Sequence, residues 1–302
     1  MRTRRLGSSG IEVSVVGLGC NNFGRRTDED ASRAVIDAAF DAGVTFFDTA
    51  DIYGDGESEE IIGRALAGRR DRVVLATKFG GRGSVAHGKG SRENVRKALE
   101  ASLVRLQTDW VDLYQHHQED PETPLAETIG ALDELVGEGK IRAYGTSNYS
   151  PAKLEEADSL AQEPYVSEQS EYSLLRRDAE RELIPACERL GLSFIPYFPL
   201  ASGLLTGKVG RDRPPEPGTR LHGREIRDDD LDEVERLAAV AADLGVSLLH
   251  VAIGSLLAQP SIASVIAGAT RPEQVRANAD ACPWEPSEDE LEAILGPEPV
   301  RP

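Results

Sequence analysis

Cysteine, methionine and aromatic side chains are scarce in this 302-residue chain, which has three Cys, one Met, two Trp and 5% aromatics in all. Cys20, Cys187 and Cys282 make no even-numbered disulfide set and show no metal-ligand spacing. That argues against a disulfide-stapled secreted scaffold or a cysteine-ligated metal, and suits a reducing, cytoplasmic setting. Long apolar runs are missing as well. The most apolar stretch, 244–258, is shorter than the ~18 residues that cross a bilayer, and it carries His250. The basic opening Met1–Gly7 lacks the apolar core of a signal peptide. Basic charge is also in deficit: 34 Lys and Arg stand against 52 Asp and Glu, a net charge of −18. Such a surface repels phosphate backbones and anionic lipid, so neither nucleic acid nor membrane is an expected partner. A local basic pocket for one phosphorylated cofactor stays compatible with it.

What is present is ordinary for a globular protein: 40% hydrophobic and 28% charged residues, with 29 Gly and 17 Pro. The length suits one large barrel-sized domain, 1–302. The chain opens with a hairpin pattern, Thr3–Leu6 and Ile11–Val16 around Gly7-Ser8-Ser9-Gly10. Eight short apolar runs follow: Val16–Gly19, Val44–Asp48, Val73–Thr77, Val111–His117, Ile141–Ser147, Val166–Gln169, Ser193–Phe198 and Ser264–Ala267. Most are continuous rather than alternating, as strands buried on both faces are.

Between the runs, Val95, Leu99, Leu103 and Leu106, and again Leu125, Ile129, Leu132 and Val136, recur at helical spacing. Asp229–Leu244 and Ser247–Ala258 predict two consecutive helices before the last run. A strand–helix unit repeated eight times predicts a (β/α)8 TIM barrel with an N-terminal β-hairpin. The competing open doubly wound sheet lacks its G-x-G-x-x-G after the first strand. Two long connections, Gly80–Gly90 and Gly207–Asp230, are either functional loops or solvated insertions.

Barrel chemistry gathers at the carboxyl ends of strands. The second run ends in Asp48 and leads to Tyr53, the third leads to Lys78, and the fourth ends at His116-His117. Lys78 is one of only six lysines, and it falls where a strand should be buried. Taken singly, the Asp could be a turn residue, the Tyr an interface aromatic, the His structural and the Lys a snorkelling rim residue. Together they read as proton-transfer machinery. An ammonium beside a phenol favours phenolate and should lower its pKa, a carboxylate holds the ammonium, and an imidazole polarises a carbonyl oxygen.

The ordered motifs Asp48-Thr49-Ala50-x-x-Tyr53-Gly54, Ser58-Glu59, Thr77-Lys78, Asp112-Leu113-Tyr114-Gln115-x-His117 and Gly145-Thr146-Ser147-Asn148 closely resemble those of the aldo-keto reductase family. The likeness runs from the hairpin to about Ala281. It implies a barrel that reduces aldehydes or ketones with NADPH and uses neither metal nor flavin. Tyr53 would be the general acid, Lys78 and Asp48 its tuning pair, and His117 the orienting group; His116, by alternation, should face away as packing.

The same resemblance implies a cofactor site. Ser147, Asn148 and Gln169 would bind the nicotinamide carboxamide, and Tyr197 would stack on its ring. Leu200, Gly203 and Lys208 resemble the pyrophosphate loop, where Phe198 replaces the usual serine. Gly268, Thr270, Arg271, Gln274 and Asn278 would hold the adenosine end, its 2′-phosphate falling to Arg271. Some family members offer a lysine at Gly268 and an arginine at Gln274, so the expected cofactor is NADP(H), with NAD(H) left open. Asn22, Phe23, Ile52, Phe79 and Tyr149 are candidates for an apolar substrate mouth. Two other readings compete: a cofactor-binding regulatory subunit, as in potassium-channel β subunits of this fold, and a Schiff-base lyase using Lys78. The substrate is expected to be a small carbonyl compound; the sequence leaves the oligomeric state open.

Overall fold

The computed structural model describes residues 1–81 and 89–296, so most of the predicted insertion at 80–90 lies outside the described residues. Strand β1 (Thr3–Arg5) pairs antiparallel with β2 (Glu12–Ser14) as a two-stranded ribbon. Eight parallel strands then close a barrel in the order β10-β3-β4-β5-β6-β7-β8-β9. They are β3 (Val16–Gly19), β4 (Phe46–Asp48), β5 (Val74–Phe79), β6 (Val111–His116), β7 (Ile141–Ser147), β8 (Tyr165–Glu171), β9 (Ser193–Tyr197) and β10 (Val265–Gly268).

Helices α1 (Glu29–Asp41), α2 (Glu57–Ala65), α3 (Arg92–Leu106), α4 (Leu125–Gly137), α5 (Pro151–Leu160) and α6 (Leu183–Leu190) return the chain between successive strands. The last crossover carries two, α7 (Asp228–Asp243) and α8 (Leu248–Leu257); α9 (Pro272–Ala281) follows β10, and α10 (Glu288–Leu295) packs on α7 and α8. Local chemistry sets several helix starts. Asp28 and Ser91 accept the backbone N–H of Ala31 and Asn94 at the heads of α1 and α3, and Pro151 opens α5.

Alternation divides the strand residues between two cores. Phe46, Ala76, Leu113, Ala143, Val166, Ile195 and Ile266 fill the barrel together with Leu6, Ile11 and Val13 of the hairpin, which thus closes the amino-terminal end. Their neighbours Leu75, Tyr114, Tyr144 and Phe194 face the helices. Gly17 is required by packing, since a Cβ there would stand 2.6 Å from Ile266 Cδ1.

Asp112 explains one of the sequence motifs structurally. Its buried carboxylate accepts from the Leu75 amide at 2.9 Å, from Arg70 at 2.9 Å and from Arg142 at 2.8 Å, tying β5, β6 and β7 together. With one end plugged, the carboxyl end of the barrel is left for a cleft. Among the described residues no single helix is long and apolar enough to cross a membrane.

Candidate active site

A cleft of about 1200 Å³ opens at the carboxyl ends of the strands. Asp48 ends β4, Lys78 lies one residue before the end of β5, and His117 follows β6 directly. Tyr53 opens the short 3-10 turn after β4. Lys78 is fully buried beneath the cleft floor; its Nζ donates to Asp48 Oδ1 at 2.7 Å, to Oδ2 at 2.6 Å and to the Thr49 carbonyl at 2.9 Å. The same Nζ lies 5.4 Å from the centre of the Tyr53 ring and also interacts with the phenol by charge and hydrogen bonding. The His117 ring meets Tyr53 edge to face, with centroids 6.0 Å apart. Asp48, Tyr53 and His117 line the cleft, so the four titratable groups are brought together.

The electrostatics correct one expectation. Burial drives the Tyr53 phenol upward, the Lys78 ammonium pulls it down and Asp48 pushes it up again, for a net position above the ordinary 10. The ammonium therefore offsets desolvation without producing a low phenol pKa, and Tyr53 stays protonated at neutral pH. Burial would strip Lys78 of its proton, yet the charge and hydrogen bonds of Asp48 and Tyr53 together outweigh it, and the amine sits above its usual value. Burial, then Lys78, then His116 push His117 down to about 3, so its imidazole is neutral. Its Nδ1 is buried without a hydrogen-bond partner among the described residues, beside the space a Gly81 Cβ would fill.

Asp48 has helpers that sequence reasoning missed. Gln169 Nε2 donates to Asp48 Oδ1 at 2.9 Å, and Gln115 Nε2 reaches it at 3.4 Å. Gln169 lines the cleft as expected, and one of its two amide N–H donors is committed to Asp48, which leaves the other and the carbonyl oxygen for a ligand. Glu59 of the Ser58-Glu59 motif is structural: fully buried, it accepts from Thr77 and from Arg105 and fastens α2 to β5 and α3.

All twelve residues expected at the cofactor line the same cleft: Ser147, Asn148, Gln169, Tyr197, Leu200, Gly203, Lys208, Gly268, Thr270, Arg271, Gln274 and Asn278. Asn148 joins three strand ends, donating to the His117 carbonyl and Ser147 Oγ at 3.0 Å each and accepting from the Tyr197 hydroxyl at 2.8 Å. Two details differ from expectation. The Gly203 amide is bonded to the Leu200 carbonyl at 2.8 Å and is not offered to a phosphate; its φ of +113° is what requires glycine. Gln274 Oε1 caps the start of α9 through the amides of Thr270 and Arg271, so it does not accept from an adenine.

The expected substrate mouth needs more correction. Asn22 lines the cleft, but its side chain is a clasp that donates to the Ala269 carbonyl and accepts from Arg220. Phe23 and Phe79 are fully buried in the core, and Tyr149 is nearly so, because each side chain alternates away from the opening. Phe79 stacks on His116 with centroids 4.8 Å apart, and His116 Nδ1 shares a 2.7 Å hydrogen bond with the Tyr149 hydroxyl. Ile52 does not line the cleft either.

Arg220 went unnoticed in the sequence. It sits in the long 207–227 connection, which crosses the mouth: Arg220 donates to the side-chain oxygens of Asn21 and Asn22 at 3.1 Å, and Arg26 donates to the Gly218 carbonyl. Its guanidinium rests 5.0 Å from the centre of the Phe198 ring and faces the cleft. Burial first, then Arg26, Arg224 and Arg25, depress its pKa, which marks a positive local field in an acidic molecule. No motif signals a residue that reaches its partners across some 198 positions of chain.

The cleft's shape suits a dinucleotide. Its lining includes the Tyr197 ring, the Asn148 side-chain amide and the positive charges of Lys208 and Arg220, and Arg271 stands at the head of α9. A parallel eight-stranded barrel with a carboxylate–ammonium–phenol–imidazole group at its mouth defines the class of enzyme. A sequence model of the Aldo/keto reductase family matches residues 15–296. The chain belongs to the aldo/keto reductase family and is an NAD(P)H-dependent oxidoreductase.

Among its relatives, the holo form of an aldo-keto reductase from Bacillus halodurans superposes with a TM-score of 0.85 at 35% identity, over 100% of this chain and 98% of that one. Aldo-keto reductase YhdN of Bacillus subtilis (strain 168) is 36% identical over 94% of this chain and 89% of its own length. A protein of Oryza sativa subsp. japonica named as a probable voltage-gated potassium channel subunit beta is 37% identical over 100% of this chain and 98% of its own.

Proposed function

We propose that this protein reduces aldehydes or ketones to alcohols with NADPH, with Tyr53 delivering the proton to the substrate oxygen. The observation that carries this reading is the buried Lys78 ammonium, gripped by both oxygens of Asp48 and lying against the Tyr53 phenol. When bound, the nicotinamide supplies the hydride. The neutral His117 imidazole donates a hydrogen bond to the carbonyl oxygen without competing as a charged acid. Lys78 stabilises the negative charge that forms on the phenol as its proton leaves, and Asp48 keeps Lys78 charged while it does so.

Preference for NADPH rests on Arg271, exposed at the N-terminus of α9, where a 2′-phosphate would meet both guanidinium and helix dipole. Arg220 and Lys208 suit the pyrophosphate common to both cofactors. Arg271→Ala should therefore weaken NADPH about tenfold and NADH hardly at all, whereas Arg220→Ala should weaken both by similar factors. Equal losses for Arg271→Ala would assign the 2′-phosphate to another residue. The three buried free thiols favour a cytoplasmic setting.

Tyr53→Phe tests the proposal. Loss of 340 nm absorbance with a panel of aldehydes and ketones should fall by about 10²–10⁴-fold while NADPH affinity changes little. Retained turnover would remove Tyr53 as the acid. The names of the plant relatives favour a second reading, a channel-associated subunit that keeps the nicotinamide site with slow chemistry. Tight NADPH binding with no turnover across the panel would support that one instead.

A further inference from the structure

The mechanism above makes no use of Glu168, although its carboxylate lies fully buried on β8, one residue before Gln169. Three donors converge on it. Thr146 Oγ1 donates to Oε2 at 2.6 Å, Ser170 Oγ donates to Oε1 at 2.7 Å, and the backbone amide of Tyr149 donates to Oε1 at 3.1 Å. The Asn148 amide, bonded to the Gln169 carbonyl at 3.0 Å, lies close enough to add to its stabilisation. Burial raises the Glu168 carboxyl to about 7 and these donors work against that rise, while its two oxygens supply acceptors enough for all three side-chain and backbone bonds.

The turn above it is strained. Asn148 takes a left-handed φ of +61°, a conformation that a non-glycine residue holds only when its surroundings fix it. The amide that Glu168 grips belongs to the next residue, and the Tyr149 hydroxyl is in turn tied to His116 at 2.7 Å on β6. The turn is thus tied to both strands that flank β7. What it presents to the cleft is the Asn148 amide, bonded to the His117 carbonyl, Ser147 Oγ and the Tyr197 hydroxyl.

We propose that Glu168 is a positioning residue: it holds the Ser147–Tyr149 turn from beneath, so that the Asn148 amide and the Tyr197 ring stand ready for the nicotinamide end of the cofactor. This rests on the nicotinamide reading of the cleft given above. Glu168 touches neither cofactor nor substrate and acts through the turn alone, so it governs how firmly and in what orientation the cofactor is held.

The test compares Glu168→Met, of similar length with no comparable acceptor, and Glu168→Gln, with one acceptor oxygen, against wild type. NADPH binding is read by fluorescence, KM for NADPH and kcat by turnover, and folding by thermal unfolding. Glu168→Met should raise the NADPH KM at least about tenfold with kcat within about threefold, and Glu168→Gln should raise it about threefold. In an Asn148→Ala background, Glu168→Gln should add less than about twofold, because both changes loosen one element. A merely structural role would lower the unfolding temperature and leave the KM of folded protein at its wild-type value, which would overturn the proposal. So would full multiplication of the two effects in the double variant. Should Glu168→Met not fold, Glu168→Gln decides, and an unchanged KM overturns it. Failure of wild-type protein to bind NADPH would instead sink the nicotinamide reading itself, a separate result.

Discussion

At Tyr53 two physical effects oppose each other on one atom. Burial favours the neutral phenol, and a nearby ammonium favours the phenolate; burial wins. The phenol therefore keeps its proton at neutral pH, with an ammonium beside it that would stabilise the phenolate. Asp51, close behind, shows the same competition in a carboxyl group. Burial and the charge of Glu59 lift it from 3.8 to about 7, only partly relieved by Arg105, the Ile52 amide and Lys78, and its Oδ1 has no hydrogen-bond partner among the described residues. Between about pH 4 and pH 7 the native state then holds more protons at Asp51 than the unfolded chain, so this group's contribution to stability falls as pH rises through that window. Asp51→Asn should raise the unfolding temperature relative to wild type at about pH 8 and change it little at about pH 4. An equal difference at both pH values would contradict the assignment.

At the scale of elements, the hairpin and the long strap do opposite jobs at opposite ends of the barrel. Leu6 is fully buried where the ribbon closes the amino-terminal end. Leu6→Ala should cost about 2–5 kcal/mol in chemical denaturation and leave the NADPH KM unchanged, because the cleft lies at the other end. A loss below about 1 kcal/mol would mean that the ribbon is not part of the cooperative core.

Strands were legible in the sequence because parallel barrel strands are buried on both faces. β3 and β7 agree with the apolar runs residue for residue, and the other six differ by only one or two positions at either end. Packing glycines and cap residues mark their limits. The strap was legible as a long Gly- and Pro-rich connection, but its work was not. Arg220 depends on Asn21 and Asn22, distant in sequence, and the side chains of Phe23, Phe79 and Tyr149 face away from the opening at or just past the strand ends, where too little periodicity remains to tell which way they point. The catalytic candidates were legible for the opposite reason: each lies at or just past a recognisable strand end, and the barrel's topology alone brings those ends together.

Across the whole molecule, a net charge of −18 coexists with a cleft that presents Arg26, Lys208, Arg213, Arg220 and Arg271. That cluster of cations suits one phosphorylated dinucleotide even in an acidic molecule. In the proposed reaction a hydride reaches a carbonyl carbon while Tyr53 supplies the proton, and a deuterium label follows that hydride directly. Wild-type protein given NADPH dideuterated at nicotinamide C4 and an accepted aldehyde should yield an alcohol one mass unit heavier, with the label on the former carbonyl carbon. Tyr53→Phe, loaded with the same cofactor, should yield almost none. An alcohol formed without the label, or formed equally fast by Tyr53→Phe, would contradict the account.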